Sequence, residues 1–259
     1  MSGTVFPPYD NASPDAVVVS FAAMKQDSRS GSPSTVSINP AASYTQVKIC
    51  GLTSVQDAVA ACENGVDALG LVFYPPSSRH VAIDRAAEII QALPPFVMVT
   101  GLFLNEEKNV IDEVLDKLPL SLLQFHGTES PAFCQSFDRP YIKSVAMKSV
   151  SDVQSYAAQY SAARGFLLDS NVSGGAGGSG EQFDWSRVPS DFPAPLILAG
   201  GLNCDNVTEA VLKVRPTAVD VSSGVESGRG IKDRAKMKEF IQCVRAADSA
   251  IMKSVAGDQ

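Results

Sequence analysis

At 259 residues, with 45% hydrophobic and 19% charged content, the chain has the composition of a soluble globular protein, long enough for one barrel-sized domain or two smaller ones. A formal net charge of −7 argues against the electrostatic attraction that nucleic acid or an anionic membrane requires, so neither is expected as a partner. The five cysteines (Cys50, Cys62, Cys134, Cys204, Cys243) are scattered and never form a C-x-x-C pair, which leaves no visible zinc site or disulfide framework and suits reduced thiols in a cytosol.

Residues 1–45 are rich in Ser, Ala and Pro and show no sustained periodicity, so they read as a mostly disordered N-terminal extension. Their one apolar run, 16–24 (AVVVSFAAM), has no basic leader and follows Asp10, Asp15 and three prolines, unlike a secretory peptide. No run approaches the roughly 20 apolar residues of a membrane span. A cytoplasmic protein is expected.

From Gln46 onward strand and helix patterns alternate. Strands are expected at 47–50, 68–73, 97–103, 121–125, 140–146, 165–169, 195–199 and 218–222, most of them continuously apolar, as strands buried on both faces are. Amphipathic helices are expected at 54–63, 83–92, 106–117, 131–137, 153–158 and 206–214. A last one at 232–247 carries an apolar stripe of Met237, Phe240, Ile241 and Val244. The sixth crossover differs, because a glycine-rich stretch and Asp184-Trp185 leave little room for a long helix. Eight strand–helix units in roughly 200 residues predict an α/β fold, a single (β/α)8 TIM barrel over 46–250 with a flexible tail at 251–259. The alternative, a doubly wound sheet, calls for a glycine fingerprint after the first strand, and CGLT at 50–53 is not one.

In such a barrel the carboxyl ends of the strands share one face, where active sites lie. Cys50 ends the first strand. Cysteine is commonly just buried, but a thiol at this position points into the mouth and suits a proton-transfer base. Asp169 ends the sixth strand after three apolar residues. It is either a helix cap or a general acid, a role that needs a carboxyl group able to hold its proton. Gly200-Gly201 and Ser223-Gly224 follow strands seven and eight. Tight turns account for either pair alone, whereas both together fit a backbone cup for phosphate. Arg79, in the loop after strand two, is either solvated surface or a fork for a substrate carboxylate. His126 after strand four fits a structural hydrogen-bonder on the rim or a second proton-transfer group. Residues 173–180 (SGGAGGSG) read as a lid over the mouth.

KICGL at 48–52, FYPPSSR at 73–79, QFHGTE at 124–129 and LDS at 168–170 together resemble phosphoribosylanthranilate isomerase. So do GGSG at 177–180 with FDW at 183–185, LAGGLN at 198–203, and DVSSGVE at 220–226 with GIKD at 230–233. The resemblance implies a (β/α)8 barrel performing an Amadori rearrangement in tryptophan biosynthesis without metal or organic cofactor. Its phosphosugar substrate is N-(5-phosphoribosyl)anthranilate, which becomes 1-(2-carboxyphenylamino)-1-deoxyribulose 5-phosphate. It further implies Asp169 as the acid that opens the ribose ring and Cys50 as the base at C2′. Arg79 would hold the anthranilate carboxylate, the Gly200-Gly201 and Ser223-Gly224 loops the phosphate, and His126 and Asp220 would support the rim. The sixth loop is glycine-richer than the family pattern, and the front extension has no counterpart in the minimal enzyme.

Two other readings stand beside this one. A non-catalytic sugar-phosphate-binding barrel would be favoured by loss of Cys50 or Asp169, and both are present. A related phosphate-binding barrel enzyme is the other: an indole-glycerol-phosphate synthase would want a lysine at the mouth, and a dual isomerase paired aspartates on strands one and six, where Cys50 stands instead of one. A monomer and a homodimer are equally compatible with the sequence.

Overall fold

A computed structural model describes residues 44–172 and 182–257. The chain runs β1 (Gln46–Cys50), α1 (Val55–Glu63), β2 (Ala68–Val72), α2 (Ile83–Gln91), β3 (Met98–Phe103), α3 (Lys108–Lys117), β4 (Leu122–Phe125) and α4 (Pro131–Gln135). It continues through β5 (Tyr141–Ala146), α5 (Val153–Ala158), β6 (Phe166–Asp169), β7 (Leu196–Leu198), α6 (Val207–Val214) and β8 (Ala218–Val221). A hairpin of β9 (Glu226–Gly228) and β10 (Ile231–Lys232) and the long α7 (Arg234–Gly257) complete it. Strands β1 to β8 pair in sequence order, all parallel, and β8 pairs back with β1 to close the barrel. No helix among the described residues is long and apolar enough to cross a membrane.

Strand periodicity sorts the side chains into two environments. Val47, Ile49, Leu69, Leu71, Leu123, Phe125, Leu168 and Val219 point outward into the main core under the helices. Inside the barrel, Ile142, Leu167 and Ala199 pack with Leu122 and Ile197, and nearer the mouth Cys50, Val72 and Leu102 form a separate group. The helices cover the outer core with one face each: α2 buries Ala86 and Ile89, and α7 buries Met237, Phe240, Ile241 and Val244. Local signals set several helix starts. Ser54 caps α1 by accepting from Asp57 N at 3.1 Å, and Ser130 and Asp152 cap α4 and α5 in the same way.

The expected (β/α)8 architecture is present, with differences at particular elements. The sixth crossover contains a single 3-10 turn at Trp185–Arg187 among the described residues. Helix α7 starts at Arg234, capped by Asp233 Oδ1 accepting from Ala235 N at 2.9 Å and Lys236 N at 3.1 Å. It runs on past Ala247 to Gly257, because no Gly or Pro interrupts 248–256. Residues 251–257, expected in a flexible tail, are therefore helical. Residues 226–232, partly assigned to that helix, instead form the β9–β10 hairpin, turned at Gly230 with φ 81°. The proposed lid at 173–180 and residues 1–43 of the extension lie outside the described residues.

Tyr44 and Thr45, placed by sequence in the extension, belong to the barrel. Thr45 is buried, and its N–H and Oγ1 both donate to Asp248 on α7, at 3.1 and 2.7 Å. Replacing Asp248 by alanine strands two buried donors, so Asp248→Ala should cost about 1–3 kcal/mol. In a barrel of this size that corresponds to a Tm drop of very roughly 2–12 °C in a thermal melt. An unchanged Tm would mean that this clamp does not secure the chain's entry to β1.

Candidate active site

Parity along β1 and β8 builds the floor of the mouth. Lys48 and Cys50 are two residues apart and share the inward face of β1, and Lys48 is the register partner of Asp220 on β8. The result is a buried ion pair, Lys48 Nζ to Asp220 Oδ1 at 2.8 Å. The Lys48 charge also acts on the neighbouring Cys50 sulfur. Neighbouring β2 leaves room for this with Gly70, where a Cβ would lie 2.7 Å from Cys50 Sγ and 3.1 Å from Lys48 Nζ. Burial pushes the Cys50 thiol above its ordinary value, with the Lys48 charge opposing that rise. Burial disfavours the Lys48 charge, but Asp220 and Cys50 outweigh it and hold the ammonium above its usual range. Burial likewise pushes the Asp220 carboxyl up, against the pull of Lys48. At 2.8 Å an ammonium–carboxylate pair is the arrangement we assign, with the proton on lysine.

Asp169 lies across the mouth from Cys50 at the end of β6 and caps no helix among the described residues. Its Oδ2 accepts from Asn171 Nδ2 at 2.8 Å and lies 3.4 Å from His126 Nε2. On the other side of the imidazole, Nδ1 is 3.2 Å from Gln124 Nε2 and 2.8 Å from Ser144 Oγ. With the Gln124 amide assigned this way, Nδ1 is an acceptor and the ring proton sits on Nε2, towards Asp169. His126 thus turns its Nε2 edge towards the Asp169 carboxylate.

Arg79 reaches the mouth from the loop after β2 and is buried. It donates from Nε and Nη2 to Glu226 on β9, at 2.7 and 2.9 Å. Glu226 in turn accepts from Lys232 Nζ on β10 at 2.9 Å.

The phosphate candidates divide. Gly200 and Gly201 both have positive φ (81° and 66°), and a Cβ on Gly200 would meet Ser170 N at 2.6 Å. Together with Ser223 they line a cavity of about 40 Å³. Gly224 packs behind it, where a Cβ would lie 1.9 Å from the Leu202 carbonyl oxygen, so its bareness lets the two loops close together. A second cavity, about 70 Å³, adjoins this one, and Cys50, Tyr74, Arg79, Leu102 and His126 line it. Asp169, Asp220 and Ser222 border both. A larger cavity, about 290 Å³, lies at the amino-terminal end of the barrel among Ala68, Leu122, Ile142 and Ile197. Its lining is mostly apolar, whereas the mouth gathers a thiol, two carboxylates, an imidazole and a guanidinium. Convergence of reactive groups, not volume, locates the chemistry. Among the described residues, no group of three or more His, Cys, Asp or Glu is placed to hold a metal ion.

Five further residues of this site do not stand out in the sequence. Lys48 lies within β1 rather than at its end, yet its two-residue offset from Cys50 puts both on one face. Gln124 and Ser144 support His126 from inward positions, and the Glu226–Lys232 pair is held by a hairpin too short to be read from periodicity.

The family model described as N-(5′-phosphoribosyl)anthranilate (PRA) isomerase matches residues 47–243. The chain is 52% identical over 209 residues to N-(5′-phosphoribosyl)anthranilate isomerase of Pseudomonas fluorescens (strain SBW25), covering 81% of this chain and 100% of the relative. Among solved structures, phosphoribosyl anthranilate isomerase from Thermotoga maritima aligns with a TM-score of 0.71 and 41% identity, over 78% of this chain and 99% of that one. Another solved phosphoribosyl anthranilate isomerase, in complex with reduced 1-(o-carboxyphenylamino)-1-deoxyribulose 5-phosphate, aligns with a TM-score of 0.68 and 38% identity over 78% and 99%. A parallel eight-stranded barrel with this mouth and these relatives leads to one assignment: the chain belongs to the N-(5′-phosphoribosyl)anthranilate isomerase family of enzymes.

Proposed function

We propose that residues 46–250 form the catalytic unit and convert N-(5-phosphoribosyl)anthranilate to 1-(2-carboxyphenylamino)-1-deoxyribulose 5-phosphate, a step of tryptophan biosynthesis, with Asp169 as acid and Cys50 as base. The observation that carries this reading is the two-part mouth. One cavity offers Arg79 and apolar Val72, Tyr74 and Leu102; the other is a glycine-lined cup; Asp169 stands where they meet. A substrate with a carboxylated aromatic ring at one end and a phosphate at the other matches that layout, with its sugar against Asp169.

The chemistry follows in order. Asp169 gives its proton to the ribose ring oxygen, the C1′–O bond breaks, and the nitrogen lone pair forms an iminium at C1′. Cys50, as thiolate, removes the C2′ proton, and the C2′–H electron pair forms the enolamine as the iminium charge is neutralised. Protonation at C1′ and loss of the enol proton give the ketone, and exchange with solvent returns a proton to Asp169 and takes one from Cys50. Lys48 stabilises the thiolate form of Cys50, and Asp220 holds Lys48 in place. His126 and Asn171 orient the Asp169 carboxyl group.

The direct test follows the fluorescence of freshly generated N-(5-phosphoribosyl)anthranilate on adding the protein. Rapid loss is expected, and absence of any loss with folded protein would remove the assignment. Cys50→Ala and Asp169→Ala should each lower kcat by at least about 100-fold, the usual scale for losing a proton-transfer group. Near-normal kcat in either variant would take that residue out of its role.

The raised thiol also gives a pH prediction. Only the thiolate acts as base and burial favours the thiol, so the rate at which iodoacetamide alkylates Cys50 in the free protein should still be climbing with pH at about 9. Lys48→Met removes the neighbouring cation, raises the thiol further and should move the climb to higher pH. A wild-type profile already level between pH 7 and 9, or an unmoved profile in the variant, contradicts this account of Cys50.

A further inference from the structure

Arg79, the proposed partner of the substrate carboxylate, already holds a carboxylate. Its two bonds to Glu226, from Nε at 2.7 Å and Nη2 at 2.9 Å, form a parallel fork. An arginine neutralised in this way would offer an incoming anion a hydrogen-bond edge but no net charge. The hairpin supplies the missing charge. Lys232 is the register partner of Glu226 across β9–β10, its side chain is fully buried, and its Nζ lies 2.9 Å from Glu226 Oε1. It also donates to the Ser222 carbonyl at 3.1 Å, and Ser222 Oγ donates to the Cys50 carbonyl at 3.0 Å. Arg79, Glu226 and Lys232 together carry one net positive charge. Of the three, only Arg79 lines the mouth, and its Nη1 group is used by neither bond to Glu226. Gly51 makes room for the arginine in this position: a Cβ there would lie 2.4 Å from Arg79 Cδ.

We propose that Lys232 is the positioning residue that sets selectivity for the aromatic carboxylate: by neutralising Glu226 it leaves the charge and the Nη1 edge of Arg79 to the substrate. The inference rests on the assignment of Arg79 to the carboxylate in the proposed function. Glu226 sets the angle of the guanidinium, and Lys232 decides whether that geometry carries charge. Consistent with this division, the Arg79 and Lys232 bonds hold the Glu226 carboxyl below its usual range against the effect of burial.

The test compares two inhibitors that differ only in the ring carboxylate: reduced 1-(2-carboxyphenylamino)-1-deoxyribulose 5-phosphate and its phenylamino counterpart. In the wild type the carboxylated compound should bind more tightly, and Arg79→Ala should abolish that preference. If the wild type shows no preference, or Arg79→Ala keeps it, the carboxylate role of Arg79 is wrong and the inference goes with it. Given that preference, Lys232→Met should weaken the carboxylated inhibitor by at least about tenfold and leave the other within about twofold. Equal weakening of both, or of neither, would reduce Lys232 to a structural residue. The double variant Glu226→Gln with Lys232→Met restores the net charge of the cluster, and it should recover most of the preference even if the single variant folds poorly. Failure of the folded double variant to recover it overturns the charge argument.

Discussion

The closing pair of the barrel, β1 against β8, is the constraint on which the site depends. Its register sets Lys48 opposite Asp220, and strand periodicity then places Cys50 on the same inward face. A slip of one residue would turn Val47 and Ile49 into the barrel and bury the thiol under the helices instead. The apolar residues of β1 therefore do more than fill the core. By demanding the outer face, they force a lysine and a cysteine into the interior, and the lysine is tolerable there because β8 brings a carboxylate to 2.8 Å.

The same logic recurs around the rim. Buried charges occur in compensated sets, because removing one partner from such a set strands the other in a medium that solvates it poorly. Lys143 and Glu129, outside the barrel and almost inaccessible, form one such set. Glu129 also accepts from Asn105 N and Gly127 N, so the pair fastens the loop that follows β4 and presents His126. Arg79, Glu226 and Lys232 form another, with an odd number of charges, and the surplus faces the mouth. The Lys143–Glu129 set ties a loop down, whereas the Arg79–Glu226–Lys232 set leaves a charge at the mouth.

Much of this was legible in the sequence, for physical reasons. Strands buried on both faces appear as apolar runs, and the residue that breaks each run marks the mouth, so Cys50, Asp169, the Gly200-Gly201 pair and His126 stood out. Lys48 did not, because a charge inside an apolar run shows its meaning only when the partner strand is known, and Asp220 on β8 is 172 residues downstream. Glu226 and Lys232 were hidden for a similar reason: a hairpin of three and two residues has no periodicity to detect. Helix α7 outruns its expected end because no glycine or proline supplies a stop before Gly257. Gly224, expected in the phosphate loop, also lets that loop close against Leu202, a packing role that no motif announces.

The central claim is a division of labour, with Asp169 opening the ring and Cys50 removing the C2′ proton. Single-turnover rates with substrate deuterated at C2′ test it most directly. The account predicts a larger isotope effect in Cys50→Ser than in the wild type, because proton abstraction becomes the slow step. It predicts a suppressed effect in Asp169→Asn, where ring opening limits the rate before the C–H bond is touched. A suppressed effect in the Cys50 variant, or an enlarged one in the Asp169 variant, would contradict the assignment of the two roles.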